Sequence, residues 1–138
     1  MRISAKGRYA LAAIISMAQQ YQNGESITLI SISERLGISK IYLEQVFALL
    51  KRGELVTSVK GAQGGYQLAR SPRQITALDV LSAVETTLFD KTEDTVPQSA
   101  PEIEAAIRSD AFDPLDRAVA TTLRQITIDQ LVLTVEKN

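Results

Sequence analysis

The chain of 138 residues contains no cysteine and no histidine. Their absence excludes disulfides, thiolate nucleophiles, imidazole bases and the usual protein ligands of zinc and of iron–sulfur clusters. Enzymatic chemistry would be left to aspartate, glutamate, lysine and tyrosine, and no carboxylate pair at an informative spacing stands out. We therefore expect a protein that is not an enzyme and that holds no metal or other cofactor.

Long apolar runs are also missing. No stretch approaches the ~20 consecutive apolar residues that span a bilayer, and the first residues lack the apolar region of a signal peptide. These absences predict a cytoplasmic protein with no membrane association. Because 45% of the residues are hydrophobic, a chain of this length is expected to form one compact domain with an extension.

The net charge of −1 conceals an uneven distribution of charge along the chain. Residues 1–73 contain 10 Lys and Arg against 4 Asp and Glu, whereas residues 74–138 contain 5 against 12. A basic front half suits contact with a phosphate backbone. Because acidic helices are also simply soluble helices, the asymmetry supports nucleic-acid binding and does not establish it.

The stretch from Thr28 to Leu68 has the pattern of a helix-turn-helix followed by a wing. The first helix carries apolar residues at helical spacing, and Gly37 supplies the left-handed residue that ends it. Ser39 is a suitable N-cap for the second helix. The apolar stripe of the second helix consists of Leu43, Val46, Phe47 and Leu50.

The opposite face of the second helix would be turned away from the core. A helix held by its apolar back can present such a face to a major groove, although an ordinary amphipathic helix has a solvated side as well. A glycine-rich hairpin between Leu55–Val59 and Tyr66–Leu68 favours the DNA-binding interpretation. This glycine run is not a P-loop, because it lacks Gly-Lys-Ser/Thr and leads into a strand. The outward face carries Ile41, Glu44, Gln45, Ala48 and Arg52.

The segments around this motif are predicted to be mainly helical. The first helix should run from Ser4 to about Gln22, with Leu11, Ile14, Ile15 and Ala18 buried, and a short strand should cover Glu25 to Ile27. Thr76 and Asp79 have the spacing of a capping box for a later helix, whose inward residues would be Ala77, Leu81, Val84 and Leu88. The fold class is therefore mainly α with a small β-hairpin wing (α+β).

The last third is predicted to hold an exposed loop and three further helices. Residues 86–100 lack periodicity, and the carboxylates of Asp90, Glu93 and Asp94 are interpreted as solvated groups because no EF-hand pattern is present. One helix should start at Pro101 and end near Ser109, another should begin at Asp113, and the last should follow a Thr127 cap. The helix that begins at Asp113 carries more apolar residues on one face than the core of a small winged domain requires. This stripe would pair with its copy in a dimer and the last helix would pack across the partner, or both helices would pack within one chain; the two alternatives remain open.

Four motifs in the first 66 residues resemble the Rrf-type family of bacterial winged-helix regulators, which includes IscR, NsrR and CymR. They are Met1-Arg-Ile-Ser-Ala-Lys-Gly-Arg-Tyr9, Ile32-Ser-Glu-Arg-Leu-Gly-Ile-Ser39, Tyr42-Leu-Glu-Gln45 and Lys60-Gly-Ala-Gln-Gly-Gly-Tyr66. The resemblance is nearly continuous to about Glu85 and returns near Leu123 to Val132. It implies DNA binding controlled by an iron–sulfur cluster in IscR-like members and by a protein partner, cysteine synthase, in CymR. Since this chain has no cysteine, it resembles CymR, which uses a protein partner, more than the members that are controlled by an iron–sulfur cluster.

The resemblance also implies the division of the chain and the residues of its sites. Residues 1–85 would be the winged helix-turn-helix, 86–100 an exposed loop, and 101–138 the dimerisation helices. The wing at Lys60, where relatives often have arginine, would enter a minor groove. Arg2, Lys6 and Arg8 cluster at the start of the first helix, where basic side chains and free helix amides would contact phosphates, unless this is merely a solvated basic terminus. With these and the outward side chains of the second helix, the expected DNA-binding residues are Arg2, Ser4, Lys6, Arg8, Thr28, Ser39, Lys40, Ile41, Tyr42, Glu44, Gln45, Lys60, Gly61, Gly64, Gly65 and Tyr66. The expected dimerisation residues are Leu115, Val119, Thr122, Leu123 and Ile126.

The function that best fits these observations is sequence-specific binding of double-stranded DNA by a homodimer that regulates transcription. We expect a repressor without an iron–sulfur cluster, with a role in cysteine, sulfur or iron–sulfur metabolism and with cysteine synthase as a candidate partner. The alternative is a winged-helix protein-interaction module that regulates a partner enzyme without specific DNA binding.

Overall fold

The computed structural model describes residues 3–21, 26–61, 64–85, 87–88, 90, 96 and 98–138. The helices are α1 (Ala5–Ala18), α2 (Leu29–Leu36), α3 (Lys40–Arg52), α4 (Ala77–Val84), α5 (Pro101–Ile107), α6 (Asp113–Arg124) and α7 (Ile128–Lys137). A two-stranded antiparallel hairpin consists of β1 (Val56–Ser58) and β2 (Tyr66–Leu68), with Thr57 opposite Gln67. This architecture confirms the predicted fold class of a mainly helical protein with a β-hairpin wing.

Local capping accounts for the boundaries of the helix-turn-helix. The hydroxyl of Thr28 accepts the Ser31 amide at the start of α2, and that of Ser39 accepts the Tyr42 amide at the start of α3. Gly37 ends α2 with a φ of 69°, in the left-handed region predicted for it. The capping box of Thr76 and Asp79 on α4 is confirmed by two hydrogen bonds of 2.9 and 3.1 Å.

The core lies between α1, the back of α3, α4 and α7. The predicted stripe of α3 is buried throughout, and Phe47 packs against Tyr66 with a ring-centroid distance of 4.8 Å. Helix α1 is enclosed on more sides than its predicted stripe implied, since Ala10, Ala13 and Met17 are buried and Leu11 and Ile15 are only half-buried. Small side chains on α1 therefore allow close helix packing from several directions.

Several predicted boundaries are wrong. Helix α1 ends at Ala18, four residues before the predicted end, and Leu88 lies beyond the end of α4 at Val84. The predicted strand at Glu25 to Ile27 is represented by a single bridge between Ile27 and Tyr66; Glu25 lies outside the described residues.

Helix α7 packs within its own chain. Ile128 is fully buried, Val132 is nearly so, and the Ile128 amide donates to the Ile75 carbonyl over 2.9 Å. These contacts join α7 to the core that contains α1, which agrees with the second of the two packing alternatives for this helix. The division of the chain at residue 85 stays a prediction.

Candidate nucleic-acid interface

The first two turns of α3 present an exposed face that is held rigidly from behind. Ile41 is 73% exposed, and Glu44 and Gln45 are exposed on the same side, as the helical phase predicts. Behind them, Leu43 and Val46 are completely buried. Because the buried face fixes the helix, its outward side chains are positioned on a preorganised support.

Charges on this face are balanced locally. The Nζ of Lys40 lies 3.9 Å from the Oε1 of Glu44, one helical turn away, and both side chains are about half exposed. An exposed pair at this distance contributes little to stability. Both groups therefore remain available to a partner at little energetic cost.

A groove of about 500 Å³ separates the start of α2 from the start of α3 and the base of the wing. It is lined by Thr28, Leu29, Ile30, Lys40, Gly65 and Tyr66, so the structure brings four of the predicted DNA-binding residues to one depression. Ile30, which sequence reasoning missed, is 54% exposed at its edge. The sequence did contain a signal for this residue, because Ile30 is an isoleucine outside the apolar stripe of a short amphipathic helix.

The wing turn has the backbone that its glycines predict. Gly64 and Gly65 have φ values of 67° and 136°, and a Cβ on Gly65 would lie 3.1 Å from the Ile27 carbonyl oxygen. The positive φ therefore favours glycine at position 65, and a Cβ there would also press on the Ile27 carbonyl. Lys60 and Gly61 are exposed, whereas Tyr66 is half-buried at the base.

The start of α1 lies next to the start of α3. The rings of Tyr9 and Tyr42 meet edge to face with centroids 5.4 Å apart, and Tyr42 is half-buried. This contact places the exposed Arg8 and the half-buried Lys6 on a helix that packs against α3. Arg2, the remaining predicted basic residue, lies outside the described residues.

Ser4 has a partner that the sequence did not reveal. Its backbone N–H donates to the Oε1 of Glu85 over 3.0 Å, and its hydroxyl donates to the same oxygen. The predicted phosphate donors at this helix end therefore include two groups that are already engaged within the chain. No local signal links positions 81 residues apart, which is why Glu85 was missed.

The predicted dimerisation residues lie along α6 and just after it. No residue of α6 is buried, and α6 packs against α4 on one side. Leu115 is 58% exposed and Thr122 is exposed, whereas Val119, Leu123 and Ile126 are half-buried. An apolar face thus remains open to solvent in the single chain.

Comparison with known proteins agrees with this arrangement. The model of the Rrf2 family, described as iron-dependent transcriptional regulators, matches residues 3–134. IscR of Pectobacterium atrosepticum is 37% identical over 132 residues, which cover 96% of this chain and 79% of that protein. The structure of CymR, the global cysteine regulator of B. subtilis, has a TM-score of 0.77 and 30% identity over 97% of this chain and 98% of that one.

A further relative matches over a shorter length. The ORF2 product of Azotobacter vinelandii, proposed to be a transcriptional regulator of the HTH type, is 54% identical over 84 residues. The match covers 61% of this chain and about half (51%) of that relative.

The iron dependence in the family description does not fit the donors of this chain. The full sequence has no cysteine and no histidine, and the described residues hold no group of three acidic side chains arranged to bind a metal ion. Of the three loop carboxylates, Asp90 is exposed, and Glu93 and Asp94 lie outside the described part of the chain. No helix within the described ranges is long and apolar enough to cross a membrane.

A match over 132 of the 138 residues, a relative 37% identical over nearly the whole chain and the winged helix-turn-helix geometry lead to one conclusion: the chain belongs to the Rrf2 family and is a DNA-binding transcription regulator, not an enzyme.

Proposed function

We propose that the protein binds a pseudo-palindromic DNA site as a homodimer, with one α3 in the major groove of each half-site. The observation that carries this proposal is the exposed first turn of α3 beside the groove that Lys40 and the wing share. In this arrangement Ile41 and Gln45 face base edges, and the exposed Lys60 follows the adjacent minor groove. Thr28, Lys6 and Arg8 contact phosphates and fix the orientation of the protein.

The homodimer follows from the open face of α6. Leu115 is more than half exposed, and it lies on a helix that has no buried residue. An exposed apolar face of this kind is typical of a surface that another chain covers. Two-fold symmetry of the protein would match two-fold symmetry of the site, with half-sites one helical turn of DNA apart or a multiple of it.

A titration of duplex DNA at two salt concentrations tests the DNA-binding part of the proposal. We expect the DNA affinity of the wild type to fall steeply as the salt concentration rises. For Lys60→Ala, the slope of the logarithm of affinity against the logarithm of salt concentration should be smaller by about 1 for every DNA sequence. Gln45→Ala should leave the slope unchanged and weaken the specific site alone. Lys137→Ala, at the end of α7, is the matched control. A salt-independent affinity would overturn the proposal and favour the protein-interaction module.

The dimer is tested by changing a residue that the single chain leaves exposed. Leu115→Glu should give a folded monomer, because the carboxylate is tolerated in the free chain and is costly only when a partner covers it. Changing Val119 and Leu123 to Glu is a less selective test, since both side chains are half-buried within the chain. A wild type that sediments as a monomer at micromolar concentration would contradict the homodimer.

Repression, a cytoplasmic location and control by a partner such as cysteine synthase complete the proposal. A protein of this kind acts where the chromosome is, and binding over a promoter excludes polymerase. The likeness to CymR supports a role in cysteine metabolism.

A reporter fused to the promoter of its own gene, measured with and without the protein, separates repression from activation. Co-purification with cysteine synthase tests the partner.

A further inference from the structure

A second groove, of about 470 Å³, lies at the far end of α1 from the DNA-binding face. The start of α1 meets α3 through Tyr9 and Tyr42, whereas the groove is lined by Ala18, the last residue of α1, and by Tyr21 just beyond it. Helix α7 and the 3-10 turn Pro72–Gln74 supply the rest of the lining. The volume is in the range of sites for small ligands, and no lining residue is among those expected to bind DNA or to form the dimer.

One face of α7 forms a wall that is apolar in the middle and acidic at both ends. Asp129, Val132, Leu133 and Glu136 recur at the spacing of a single helical face, and all four line the groove. The two acidic residues are separated by seven positions, or roughly 10 Å along the helix. Between them Val132 is nearly buried and Leu133 is 51% exposed, and Tyr21 adds a 43% exposed ring to the same groove.

The two carboxylates of this wall differ in their surroundings. The Nε of Arg73 lies 3.9 Å from the Oδ2 of Asp129, and the two side chains are 84% and 41% exposed. A pair this long and exposed contributes little to stability, so both groups stay available to a ligand. Among the described residues, no lysine or arginine lies within salt-bridge distance of Glu136. The lining therefore combines adjacent charges of opposite sign at one end with an unpaired carboxylate at the other.

We propose that this groove binds a free basic α-amino acid, such as lysine. The ammonium and carboxylate groups on the α carbon of such a ligand are adjacent, and they match Asp129 and Arg73. Its aliphatic chain extends over Leu133 and the ring of Tyr21, and its terminal cation pairs with Glu136. Each of the three charges of the ligand then meets a side chain of opposite sign. A neutral amino acid would leave Glu136 unpaired, and a diamine would leave Arg73 without a carboxylate.

Calorimetric titration of the full chain with three matched ligands tests the proposal. L-Lysine carries all three charges, L-norleucine lacks the terminal ammonium, and pentane-1,5-diamine lacks the carboxylate. Lysine should bind at least about fivefold more tightly than either of the others, because each of them loses one charge-assisted contact. Lysine should also raise the melting temperature, since it binds the folded chain alone. Equal affinity for all three ligands, or no binding of lysine at millimolar concentration, would overturn the proposal.

Two substitutions of exposed side chains assign the ends of the ligand. Glu136→Gln should abolish the preference for lysine over norleucine and leave norleucine binding unchanged. Arg73→Gln should abolish the preference for lysine over the diamine. Glu102→Gln is the matched control, because it removes one exposed carboxylate from α5, away from the groove, and should leave both preferences as they are in the wild type. Circular dichroism verifies that each variant is folded. A folded Glu136→Gln variant that still prefers lysine over norleucine would contradict the site.

Discussion

The Ser4 amide and hydroxyl both donate to one carboxylate oxygen of Glu85, which joins the start of α1 to the end of α4. Gly7 leaves room for this carboxylate, since a Cβ at that position would collide with the Glu85 Oε1. A negative charge at a helix N-terminus is favourable, because it complements the helix dipole and satisfies a free amide. Glu85 thus stabilises the helix that carries Lys6 and Arg8.

Glu85→Ala is therefore expected to lower the free energy of unfolding by about 1 kcal/mol, the usual contribution of a helix cap or a charged hydrogen bond. Glu85→Gln should lose less, because an amide oxygen can still accept both bonds. Urea denaturation measures both variants. Glu102→Ala on the exposed first turn of α5 is the control, and a Glu85→Ala variant as stable as the wild type would show that the contact contributes nothing.

Glu54 has a φ of 62°, although it is not glycine. It follows Gly53, and the next residue, Leu55, donates its amide to the Leu50 carbonyl over 3.0 Å, which closes the end of α3. Gly53 does not take the left-handed conformation itself, with a φ of −78°. A Cβ at Gly53 would lie 3.0 Å from the Cβ of Ala83.

From this geometry we expect Glu54→Gly to raise the melting temperature. Relief of the left-handed strain contributes about 1–2 kcal/mol, and the greater freedom of glycine in the unfolded chain offsets about 0.4–1 kcal/mol of it. Glu54→Val should be destabilising because a β-branched residue is poorly tolerated at positive φ. The two changes in melting temperature should have opposite signs, and equal signs would contradict the assignment of strain to position 54.

Ile41 is expected to contact a thymine methyl group, the only apolar feature on a base edge in the major groove. Ile41→Ser should weaken sites that contain this thymine by roughly 1 kcal/mol, comparable to one buried CH₂. The measurement replaces thymine by uracil at each operator position in turn. If no uracil replacement weakens binding by the wild type more than it weakens binding by the Ile41→Ser variant, Ile41 is a surface residue without a role in recognition.

Iron should not regulate this protein through a cluster. Protein purified under anaerobic conditions is expected to show no visible absorption band and no stoichiometric iron or sulfide, because the chain has neither cysteine nor histidine to bind a cluster. DNA affinity should likewise be unchanged by an iron chelator. A cluster band with stoichiometric iron and sulfide would contradict this prediction.

The local pattern of the sequence was sufficient for the helix-turn-helix and its wing. Gly37, Ser39 and the Thr76 capping box each act on neighbouring residues through sterics or a single hydrogen bond, so their consequences can be worked out without the rest of the chain. The exposure of Ile41 followed from helical phase for the same reason. Absence of cysteine and histidine likewise determined by itself which metal chemistry is excluded.

Other features were decided only by tertiary structure. The contact of Ser4 with Glu85 joins residues 81 positions apart, and the enclosure of α1 depends on α7 returning to the core. The left-handed residue after α3 is Glu54, and its neighbour Gly53 lies close to Ala83 of the distant helix α4. Long-range contacts of this kind carry no signal in a local window, since the energy that selects them arises only when distant segments meet.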